Sequence, residues 1–195
     1  MPRDIFRNRA SALEDEFFHR VDQELIARLK QKEQQEADED ALTIATGITD
    51  RTVLDELLSV QITPQTLLAF QLFPAIHVAW ASGYIQRAER EAVLKAAEHL
   101  GVVPETPAWE LLQSWLQKKP SAELFEAWTD FIHALRPTMS VTAFRELHET
   151  SMTRARKVAE TSGGILGIHR VSADEEARLA DLEAVFADAA LASEK

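Results

Sequence analysis

The chain has 195 residues, 46% of them hydrophobic, enough to bury a substantial core in one domain or in a domain with an appendage. Cysteine is absent, which excludes disulfides, thiolate metal sites and cysteine nucleophiles. The net charge of −11, from 32 acidic and 21 basic residues, repels phosphate polyanions and anionic bilayers. No run reaches ~18 consecutive apolar residues and no apolar leader precedes the first charges, so the expectation is a cytoplasmic protein that uses neither nucleic acid nor membrane.

Helix signals recur along the chain and strand signals do not. From about Asp4 to Ala37, Leu13, Phe17, Val21, Leu25 and Leu29 fall at helical spacing before the sequence turns wholly polar in KQKEQQEADED. This segment reads as a helical arm over residues 1–40, and residues 41–195 read as a helical domain. Gly47 is a helix stop and Thr49 the next expected cap. Pro64 behind Thr63 is expected at a first helical position, and Pro74 should kink or break the run from Pro64 to Ala81. Gly83 ends that run, and a helix from about Gln86 to Leu100 stops at Gly101. Thr106 with Pro107, then Pro120 with Ser121, start two more helices, and Pro137 ends the second. Ser140 caps a long helix to about Ser162, SGGILG breaks the chain, and Ser172 with Glu175 forms a capping box for the last helix.

Two of these helix starts echo one another. YIQRAEREAVLKAAEHL and HRVSADEEARLADLEAVF align with Ile85 on Val171, Glu89 on Glu175, Val93 on Leu179, Ala96 on Leu182 and Leu100 on Phe186. Such an echo suggests two related helical hairpins, each unable to bury its apolar stripe alone.

The loop VAWASGYIQRAERE raises the question of a cation site. An EF-hand loop needs oxygen ligands at its first, third and fifth positions, and Val78, Trp80 and Ser82 stand there, so a bend between helices is the better reading. AWASGYIQRAEREAVLKAAEHLG, together with SGGILGIHRVSADEEARLADLE, resembles the tellurite-resistance TerB-like family. The resemblance spans about Thr63 to Leu191. It implies an all-α, TerB-like helical bundle of about eight or nine helices, a link to stress responses, and divalent-metal binding through acidic turn residues. Gly83, Glu89 and Glu91 match the family motif, whereas Ser82 stands in place of its turn aspartate.

Other metal-ligand spacings occur on the helices. Glu16 with His19, and Asp130 with His133, show the i, i+3 spacing of di-iron bundles, a spacing that acidic amphipathic helices also produce by chance. His148-Glu149 begins a zinc-protease helix motif, but Met152 occupies the second histidine position. His77 reads as a core or boundary imidazole. Gly163, Gly164 and Gly167 allow close packing, a turn or ligand approach; no phosphate-loop lysine follows them. Large rings at helical spacing usually form core, while exposure of Trp109 or Trp115 would mark an interaction surface.

The leading expectation is a non-enzymatic module acting through protein contacts, with the N-terminal helix docking on a partner or on a second copy and no cofactor. A divalent-metal sensor or helical-bundle metalloprotein is the alternative. A third reading is a carrier of a hydrophobic small molecule, with a pocket among Phe70, Phe73, Trp80 and Trp128.

Overall fold

A computed structural model describes the backbone of residues 2–162 and 171–192, and the side chains of residues 23–161 and 171–191. The described residues form nine α-helices and no strand. The chain divides into two compact units, Met1–Asp40 and Ala41–Lys195. The first unit is helix alone, part of α1 (Pro2–Thr46).

Gly47 takes φ 76°, a left-handed conformation, and its amide bonds to the Thr43 carbonyl at 2.8 Å, so α1 stops at Thr46. The next cap is Asp50, one residue later than expected: its carboxylate accepts the Thr52 amide at 2.9 Å and opens α2 (Arg51–Ser59). Pro64 also departs from expectation. It lies in a turn pinned by Thr66, whose hydroxyl accepts the Thr63 amide at 2.8 Å and donates to the Gln61 carbonyl at 2.8 Å. Only then does the one-turn helix α3 (Leu67–Phe70) begin. Pro74 breaks the following run, so α4 (Phe73–Ala79) starts afresh with the proline in its first turn.

Gly83 at φ 88° and Gly101 at φ 81° bracket α5 (Arg87–His99). Thr106 accepts the Trp109 amide and Pro107 fills the first position of α6 (Pro107–Gln117). After Pro120 and Ser121 comes α7 (Ala122–Leu135), which runs into a 3-10 turn at Arg136–Thr138. The Ser140 hydroxyl accepts the Ala143 amide at 3.1 Å at the head of α8 (Val141–Ser162). The Ser172–Glu175 box opens α9 (Ala173–Ala192).

Within Ala41–Lys195, α4 sits at the centre. It packs against α5, α8 and α9, while α7 packs against α2 and α9, and α3 against α6. Every residue of α4 except His77 is buried. Its seven residues would not hold a helix in water; they are helical because neighbouring apolar faces enclose them. The rings around it interlock: Phe73 lies 6.1 Å from Phe70 and 6.0 Å from Trp128, and Trp128 meets Phe186 edge-on at 5.6 Å. The pocket expected among Phe70, Phe73, Trp80 and Trp128 is therefore packed solid where Phe70, Phe73 and Trp128 meet.

Ile76 is fully buried, so Ile76→Ala should lower unfolding stability by about 2–5 kcal/mol, through lost transfer energy and a residual cavity. Leu29→Ala, on the half-exposed face of α1, should change it by less than about 1 kcal/mol. Urea denaturation followed by circular dichroism measures both.

Candidate functional site

The turn between α4 and α5 holds the residues that motivated a cation site. The Ser82 hydroxyl stands where the family motif has an acidic side chain, and it donates to the Tyr84 carbonyl at 3.0 Å. That bond stabilises the turn. Glu89 turns inward and is 2% exposed; its Oε2 accepts the Gln86 backbone amide at 2.6 Å, closing a capping box. Glu91 lies on another face, where Arg87 Nε donates to its Oε1 at 2.8 Å in an exposed i, i+4 pair.

The same construction occurs at the head of α9. Glu175 is 3% exposed, and its Oε2 accepts the Ser172 backbone amide at 2.6 Å. The echo between the two segments is thus realised as two capping boxes in which the glutamate accepts the cap residue's amide at 2.6 Å. The equivalent apolar positions Val93 and Leu179 are both buried. The Glu175 carboxyl lies near enough to Glu89 to disfavour its ionisation. Burial pushes Glu89 up to about 7; the Gln86 amide works against that shift and the neighbouring Glu175 adds to it.

The remaining candidates are dispersed. Asp130 is exposed on α7 and lies near Glu56 of α2, whose carboxyl is raised by burial and by that neighbouring carboxylate. His133 is exposed one turn further on. Glu16, His19, Gly163, Gly164 and Gly167 lie outside the residues described with side chains. Among the described residues, no three His, Asp or Glu side chains converge where they could hold a metal ion. Trp115 is 6% exposed and belongs to the core, its carbonyl accepting the Trp80 indole N–H at 2.8 Å; Trp109 is partly buried. Neither ring supplies the exposed aromatic surface that the sequence raised. His148, which opens the truncated protease motif, bonds to Glu183 across α8 and α9 at 2.6 Å, and Met152 is buried.

His77 is a boundary imidazole, as its sequence context suggests, with its side chain 15% exposed. It stacks on Phe125 with ring centroids 4.6 Å apart, and its buried Nε2 has no hydrogen-bond partner. Asp181, at 3.9 Å, is too distant for a direct bond. Burial, then the nearby Arg178, lowers the imidazole to about 4 against the opposing pull of Asp181, so the ring is neutral at physiological pH. The residues beside it line a cleft of 270 Å³.

No family model, curated protein or solved structure matches the chain. No helix among the described residues is long and apolar enough to cross a membrane.

The Glu89–Glu175 pair has a pH signature. Glu89 titrates near 7 when folded and near 4.5 in an unperturbed chain, so between those values the folded state holds more protons than the unfolded one. Stability therefore falls as pH rises from about 4.5 to about 7 and levels off above. Glu89→Gln keeps an oxygen for the Gln86 amide and a donor for Glu175 but cannot ionise. Urea midpoints compared at pH 5 and pH 8 should differ less in this variant than in the parent, with the variant gaining relative to the parent at pH 8. Glu91→Gln should leave the difference unchanged.

Proposed function

We propose that this protein is a non-enzymatic helical module that works by docking, with residues 1–40 as the contact element and the helical domain as its base. The observation that carries the reading is the row Leu25, Ile26 and Leu29 on α1, which stand 54%, 52% and 53% exposed on a helix in a unit that has no other element. An apolar row on a lone helix calls for a partner surface, because covering each such side chain gains about 1.5–3 kcal/mol relative to leaving it in water. Leu13, Phe17 and Val21 continue the row in sequence, which lengthens the contact available. The arm's partner is another protein or a second copy of this chain. The TerB-like resemblance supports a setting in stress response, and its metal-binding aspect is the weaker part because Ser82 replaces the turn aspartate.

The test compares the tagged full chain with Leu25→Glu/Leu29→Glu, recovered from the native cell and sized by light scattering. The parent should carry a stoichiometric partner, or a second copy of itself, that the variant lacks, while both keep the same melting temperature. Identical monomeric masses and identical co-purifying bands for both proteins would overturn the docking reading.

A further inference from the structure

We propose that the cleft between α4, the head of α7 and α9 is a binding site for a small aromatic carboxylate, its ring against Phe73, His77 and Phe125 and its carboxylate at Lys119 and Arg178. The site is separate from the docking arm and goes beyond that reading. Its wall is aromatic and preorganised: Phe73 lies 5.8 Å from His77 and 6.3 Å from Phe125, and the His77 and Phe125 planes are inclined by 20°. Trp80 lines the same space and is held by its indole bond to the Trp115 carbonyl. A flat ring can lie in such a wall with little reorganisation, and offset or edge contacts with the surrounding rings add to simple burial.

The cleft is also lined by two cations, Lys119 and Arg178, and both lie close enough to the His77 ring to disfavour its protonation. Arg178 donates one N–H to Asp181 at 3.2 Å and keeps further donors on its guanidinium. Lys119 has no ion pair among the described residues, and its exposed position lets the ammonium swing over the opening. Glu126, which also lines the cleft, disfavours a dianion, which directs the choice toward a single carboxylate. Size restricts the ligand further. A cleft of 270 Å³ lies just below the range of about 300–1,000 Å³ usual for small-molecule pockets, so it suits a single small ring. Neutral His77 belongs to this picture as a flat, uncharged part of the wall, because a protonated ring beside two cations would be costly.

Phenylacetate is the probe, titrated into the full chain and followed by the imidazole resonances of His77 and the indole N–H of Trp80. Saturable shifts of both with a Kd at or below about 1 mM are expected, an affinity suited to so small a ligand. Phenylacetamide, with the same ring and no charge, should bind at least about tenfold more weakly, since charge-assisted bonds are the stronger kind. Lys119→Glu, a change at an exposed linker position, should weaken phenylacetate by a similar factor and leave the melting temperature unchanged. Absence of saturable shifts up to about 10 mM would overturn the site. Equal binding of acid and amide, or indifference to Lys119→Glu, would overturn the assignment of a carboxylate ligand.

Discussion

The enclosure of α4 is the constraint on which the domain of residues 41–195 rests. A seven-residue helix cannot meet the cost of its own nucleation, and six of its residues are buried. Its backbone is helical because α5, α8 and α9 surround it, and they are oriented by having to surround it. Pro74 contributes at the outset: it prevents α3 from running on and lets the chain turn before entering the core. The exception in the helix, His77, then faces the one side that its neighbours leave open, which is why a polar residue sits in the centre of a hydrophobic element beside a cleft.

A second constraint joins the heads of α5 and α9. Each helix ties down its own first turn with a glutamate, an ordinary device at an exposed helix end. Here both glutamates are buried, and the Glu175 carboxyl adds to the effect of burial on Glu89. The cost of ionising Glu89 inside the fold links the packing of the two helix starts to solution pH near neutrality. The arrangement also accounts for the position of Glu89 in a turn that otherwise lacks oxygen donors: it serves its helix and its counterpart.

The local signals were readable residue by residue. Gly47, Gly83 and Gly101, the Thr106–Pro107 start, the Ser172–Glu175 box and the break at Pro74 each appear where short-range chemistry places them. Such features depend on a few adjacent residues and their φ preferences, which is why they survive without tertiary information. Errors fell where competing caps stood next to one another. Thr49 and Asp50 are both capable, and the Asp50 carboxylate takes the Thr52 amide; Pro64 suits a helix start, yet the Thr66 hydroxyl holds it in a turn.

Sequence alone established an acidic, cysteine-free chain of helices, the stops between them, the apolar row on the first helix and the echo of two helix starts, because all of these are properties of neighbours along the backbone. Tertiary packing supplied the meeting of Glu89 with Glu175, the closing of the space among Phe70, Phe73 and Trp128, and the opening beside His77. Those outcomes join residues far apart in the chain. Their distances follow from how helix faces interlock, and no local preference encodes which side chains will meet or leave a gap.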